Sequence, residues 1–170
     1  MALLKIARMG HPVLHQVSEL VSDPKSPEIR RLISDMLETM ADARGAGLAA
    51  PQVHVPVRLF VYHVPANRVS DPEQAMLPRV LINPEIIPVG DEMMLCSEGC
   101  LSIPGLRGDV PRYAKVRYRG LDGNGDPVEG EAVGFHANVL QHESDHLDGV
   151  LYPQRIQDFT RFGYVEEMVR

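Results

Sequence analysis

Residues 141–149 read QHESDHLDG, and this stretch constrains the fold more than any other. His142 and His146 stand four apart, so on an α-helix both imidazoles leave one face and can meet at one metal ion. Glu143 follows the first histidine and lies about 100° further round the helix. That places it beside such an ion, within reach of a water bound there. Leu140 and Leu147 supply an apolar side, and Gly149 stands where a C-terminal cap belongs. A helix over about 133–148 is expected, packed against whatever completes the site. Two imidazoles do not complete a catalytic metal centre; a third protein ligand is needed, with one position left open.

His-Glu-x-x-His is also the zinc-peptidase pattern, in which one arrangement takes its third ligand downstream. Here Glu166 and Glu167 are the only glutamates after the helix, and no histidine follows His146. The other strong candidate is upstream, the thiolate of Cys100, and a set of two nitrogens and one sulfur suits zinc or ferrous iron. Cys96 and Cys100 are the only cysteines, and both sit in MMLCSEGCLS, which reads as a strand. An extended chain separates them by roughly 13 Å, too far for a disulfide unless the chain turns sharply. One is then a ligand or nucleophile, the other an ordinary buried thiol.

The remaining sequence sets the frame. At 170 residues the chain suits a single domain over 1–170, and 44% apolar with 24% charged residues is an ordinary globular composition. A net charge of −6 offers no global basic footprint for nucleic acid. No apolar run approaches the roughly 18 residues of a membrane span, and MALLKIARMGHPVLHQ is too short in apolar residues for a signal peptide. A cytoplasmic protein is expected. Ser26 and Pro27 open a helix over 27–43, whose Ile29, Leu32, Ile33, Met36, Leu37 and Met40 form one stripe, with Gly45 and Gly47 ending it. Strands are expected at 57–64, 80–89 and 93–100. A hairpin is expected about 122–126, a polar surface loop over 65–78, and a short turn or helix from Gln157. The fold class that follows is α+β: antiparallel strands packed around a central metal-binding helix, with an N-terminal helix.

Three blocks occur in order: GAGLAAPQ (45–52), EGCLS (98–102) and QHESDHLDG (141–149). Together they resemble the signature blocks of the peptide deformylases. SIPGLRGDVPRY and GVLYPQRI extend the likeness, from GHPVL near the start to about Ile156. That family removes the N-formyl group from the initiator methionine of new polypeptides and releases formate. The resemblance implies Cys100, His142 and His146 as metal ligands and Glu143 as the catalytic glutamate. It implies Gln52 and the backbone N–H of Leu101 as the pair that polarises the formyl oxygen. Gly47 matches backbone that pairs with the substrate chain, and Arg107 falls near the peptide tail. Glu98 is implied as a buried structural partner. One divalent metal is implied, Fe2+ in the cell, with Zn2+, Ni2+ or Co2+ in purified protein. The implied partners are N-formylmethionyl nascent peptides and the ribosome near its exit tunnel.

The chemistry of these residue types is consistent with the resemblance. Bound metal makes water acidic enough to attack near neutral pH, and a carboxylate beside it can take the proton and pass it on. Asp145 is a candidate to orient a ligand histidine, with an exposed helix charge as the alternative reading. Asn138 and Ala46 occupy variable positions bordering the expected pocket. Two other functions compete: a metallopeptidase, favoured by the helix motif alone, and a silent relative that only binds peptides.

Overall fold

Ser26 accepts a hydrogen bond from the Ile29 N–H and opens α1 (Pro27–Asp42). Ile33, Met36 and Met40 of its stripe are buried, and Ile29, Leu32 and Leu37 pack at their edge. The helix ends differently from expectation. The left-handed residue is Arg44, at φ 53°, and neither Gly45 nor Gly47 has positive φ. Its N–H reaches Ala41 O, and the Gly45 N–H reaches Met40 O, the paired bonds of a Schellman ending.

The computed structural model describes residues 2–168. After α1 come β1 (Gly47–Ala49), β2 (Leu59–Val64), β3 (Met76–Pro88), β4 (Met93–Cys100) and β5 (Ile103–Tyr113). Then follow β6 (Lys115–Leu121), β7 (Pro127–Val133), α2 (Gly134–Leu147) and β8 (Phe162–Tyr164). The strands form two antiparallel sheets, ordered β1-β2-β3-β6-β7 and β4-β5-β8. The α+β expectation holds, as do β4 and the β6–β7 hairpin. β1 and β5 were not expected as strands, and β3 begins at Met76, inside the expected 65–78 loop. The stretch after Gln157 forms a single 3-10 turn and then β8, which pairs with Leu106–Gly108.

α2 is held on two sides by different forces. Ala137, Val139, Leu140 and Leu147 pack with Phe60, Tyr62, Leu81, Val116 and Tyr118 of the five-stranded sheet. Asn138, His142 and Asp145 face polar groups of the three-stranded sheet instead. A helix apolar on one side only, between two sheets, must satisfy its polar side inside the protein. Gly149, at φ 72°, ends α2 where a Cβ would lie 2.7 Å from the His15 carbonyl carbon, so glycine is required there.

Candidate active site

The two histidines of α2 share one face as their spacing predicts, and Cys100 at the end of β4, the upstream candidate, meets them there. One ligand atom from each lies within 4.8 Å of the others. Cys100 Sγ is 3.3 Å from His146 Nε2. Sulfur at about 2.3 Å and nitrogen at about 2.0–2.1 Å around a tetrahedral ion would stand roughly 3.5 Å apart, so the donors fit a zinc-sized divalent cation. Both cysteines are free thiols. Cys96 is half-buried, not buried, and burial pushes its thiol up to about 11.

The donors are positioned by a buried polar network. Glu98 of β4, 4% exposed, meets His142 Nδ1 at 2.7 Å, which leaves Nε2 of that ring for a ligand. Asn138 donates to Glu98 Oε1 at 2.6 Å. Arg112 of β5 grips both oxygens of Glu98, from Nε at 2.7 Å and Nη2 at 3.0 Å. Its Nη1 turns to Asp145 Oδ2 of α2 at 2.7 Å. Burial pushes the Glu98 carboxyl up, but the hydrogen bonds from His142 and Arg112 outweigh it and hold the group at about 2. Burial likewise opposes charge on His142, yet its contacts with Cys100 and Glu98 carry it well above the ordinary range. Burial, and then the neighbouring His142, drive His146 well below that range.

This corrects one expectation. Asp145 orients no ligand histidine; it accepts from Arg112 and from Arg155, whose Nη2 is 2.8 Å away. Glu98 orients His142. Arg112 was missed as a contributor to the site, and Asn138, expected only at the pocket border, was missed as a partner of Glu98. A buried glutamate beside a ligand block does call for a cation, but the sequence does not say which of 17 lysines and arginines supplies it.

Glu143 points into the same space, 3% exposed, with Oε2 making no hydrogen bond among the described residues. His146 Nδ1 is similarly buried and unpartnered. Burial dominates the Glu143 carboxyl and raises it to about 7, where it can exchange protons near neutral pH. Gly47 explains how the carboxylate fits. A Cβ there would come within 2.8 Å of Glu143 Cγ and closer still to its carboxylate.

Gln52, 1% exposed, is locked by its own loop. Its Oε1 accepts the Ala49 N–H at 2.8 Å, which fixes which end of the amide is nitrogen. Its Nε2 then faces Ser102 Oγ at 3.0 Å and Cys100 Sγ at 3.4 Å. Ser102, fully buried, was not anticipated. Leu101 lies at the cavity wall between them. A cavity of about 370 Å³ opens over these groups, and Gly47, Gln52, Cys100, Leu101, His142 and Glu143 all line it. Arg107 lines it too, and its Nη2 donates to Ser97 O at 2.8 Å. Asn138 and Ala46 also border it, as expected.

Comparison with known proteins gives consistent matches. The family model described as polypeptide deformylase matches residues 3–162. "Peptide deformylase 1" of Bordetella pertussis is 52% identical over 162 residues, covering 95% of this chain and 92% of that protein. A peptide deformylase structure from Ehrlichia chaffeensis, in complex with actinonin, superposes with a TM-score of 0.86 at 37% identity. It covers 95% of this chain and 92% of that one. A Met-Ala-Ser-bound deformylase from Acinetobacter baumannii superposes with a TM-score of 0.82 at 36% identity, covering 91% and 98%. Among the described residues no helix is long and apolar enough to cross a membrane.

Proposed function

The chain belongs to the peptide deformylase family, metal-dependent hydrolases that remove N-formyl groups from nascent peptides, and from that premise we propose how its own residues divide the work. The observation that carries the reading is the convergence of Cys100, His142 and His146 beside a buried Glu143 under one cavity. We assign the three donors to a divalent cation. When bound, that cation supplies Lewis acidity, which readies water for attack near neutral pH.

The other steps belong to the protein. Glu143 takes the proton of the attacking water and delivers it to the amine that leaves as the formyl C–N bond breaks. Its freedom from hydrogen bonds at Oε2 supports that role. The Leu101 N–H and the Gln52 amide stabilise the developing oxyanion. Both N–H bonds of Gln52 have partners before substrate enters, and the 3.4 Å contact to sulfur is the weaker. We assign that N–H to the formyl oxygen once substrate arrives. Gly47, on a sheet-edge strand, pairs with the substrate backbone, and Arg107 meets the peptide beyond the methionine. The substrate is an N-formylmethionyl chain; the Met-Ala-Ser tripeptide on the Acinetobacter relative has the form of a deformylated product.

The finer assignments follow the same chemistry. Fe2+ is the metal in the cell. Zinc binds such donor sets more tightly by the Irving–Williams order, so purified protein takes up Zn2+, and Ni2+ or Co2+ serve as substitutes. The working place is the cytoplasm, on chains near the ribosomal exit tunnel, with residues 1–170 acting as one catalytic domain.

Formate release from formyl-Met-Ala-Ser tests the function. Glu143→Ala is expected to retain metal and lose turnover, and Cys100→Ala to lose metal. Cleavage of internal amides without formate would return the chain to the metallopeptidase reading. Full metal content in Cys100→Ala would refute the ligand set.

A further inference from the structure

The cavity mouth carries more positive charge than the reaction needs. Arg44 and Arg68 both line it, together with Arg107. Among the described residues its lining includes two carboxylates, Glu98 and Glu143. Glu98 is already engaged with Arg112, Asn138 and His142, so it neutralises nothing at the mouth. Arg44 and Arg68 are exposed, and neither has a carboxylate partner among the described residues. The chain as a whole is acidic, at −6, which makes this local excess the more distinctive.

Each arginine is also placed in a way that packing alone does not require. Arg44 occupies the left-handed position ending α1, at φ 53°, where glycine is the unstrained choice and a side chain costs about 1 kcal/mol. A helix C-terminus does favour a cation. That accounts for a charge at Arg44 but not for a second one on another element. Arg68 lies on the turn after β2, its guanidinium carbon 5.4 Å from the centre of the Phe135 ring. Phe135 is itself part of the cavity wall, so the ring holds this charge over the opening.

Resting on the deformylase reading, we propose that Arg44 and Arg68 make the mouth selective for formyl-methionyl chains carrying a carboxylate beyond the methionine. The bound chain leaves the cavity past these guanidiniums. An acidic group gains attraction there and a basic one meets repulsion. Both effects act through partly screened solvent and are therefore modest and salt-dependent.

The test measures kcat/KM for formate release from C-terminally amidated formyl-Met-Ala-Asp, -Asn and -Lys. Aspartate is expected to exceed lysine by about 3- to 10-fold at low salt, with asparagine between. Near 1 M salt, where the screening length falls to about 3 Å, the ratio collapses toward one. Arg44→Gly with Arg68→Gln is expected to flatten the series, and Arg44→Glu with Arg68→Glu to reverse it. Formyl-Met-Ala-Ser with a free carboxyl terminus is expected to exceed its amide at low salt in the same way. Equal rates for all three amidated peptides in the wild type would overturn the proposal, as would an unchanged ratio in both variants. Neither result would touch the deformylase reading, which fails only if no peptide releases formate, and this proposal then falls with it.

Discussion

Replacing Arg112 with methionine tests the physical account of the site most directly. Arg112 is 4% exposed, and its guanidinium makes three short hydrogen bonds, two to Glu98 and one to Asp145. Methionine fills similar space but leaves the Glu98 carboxylate buried with only Asn138 and His142 to meet it. Removing one partner of a buried ion pair costs about 3–5 kcal/mol, chiefly through the charge left behind. Asp145 retains Arg155, so the loss falls mainly on Glu98. At roughly 2–4 °C per kcal/mol for a domain of this size, the melting temperature should drop by about 10 °C. A looser Glu98 also orients His142 less well, so metal affinity should fall about 10- to 100-fold. Arg117→Met is the control, since Arg117 is 61% exposed and pairs with Glu131 at the surface. It should lose about 1 kcal/mol or less. Thermal unfolding of metal-loaded protein and competition with a chelator give both quantities. If the Arg112 variant melts within about 3 °C of the Arg117 variant and holds its metal equally well, the network does not support the site as argued. Adding Glu98→Gln to Arg112→Met should recover part of the lost stability, because no buried charge then lacks its partner.

Gly47→Ala places a methyl group against the Glu143 side chain, and a displacement of about 1 Å in a catalytic group can lower kcat about 100-fold. Metal content should stay unchanged, and kcat within threefold of wild type would contradict the packing argument. His136 stacks on Tyr62, and burial, helped by nearby Arg79, lowers its pKa to about 4. It is therefore neutral in the folded state while the unfolded chain binds a proton below about 6.5, so acidification from 6.5 toward 4 removes stability. His136→Phe should show a shallower fall in denaturant midpoint between pH 7 and pH 4.5, and an equal fall in both proteins would refute it.

The metal helix was legible because its requirements are local: two histidines and a glutamate within five residues, flanked by leucines and closed by glycine. Cys100 was legible as a candidate third donor, because the downstream chain offers only Glu166 and Glu167 as alternatives, and the structure brings its sulfur to the two histidines. β5 was hidden by Pro104, Gly105, Gly108 and Pro111, which read as loop punctuation but are tolerated in this strand between β4 and the short β8. β1 was hidden for a related reason, since small residues carry no alternating pattern. Arg112 could not be singled out. Its burial depends on Glu98 and Asp145, 14 and 33 residues away, and neighbouring arginines on β6 look the same in sequence yet lie in solvent. Asp145 was misread for the same reason, because which polar group serves a histidine is decided across two sheets.

The split origin of the donors has a consequence for supply. Cys100 ends a strand of the small sheet, while His146 sits on the helix fixed to the large one, 46 residues later in the chain. An ion held between them, as proposed, would act as a removable tether that closes a long loop. Stabilisation by such an ion grows with the logarithm of its free concentration over its dissociation constant. On the proposed ligand set, the folded fraction would then rise and fall with the free metal concentration, so scarcity would lower the amount of folded protein as well as its turnover.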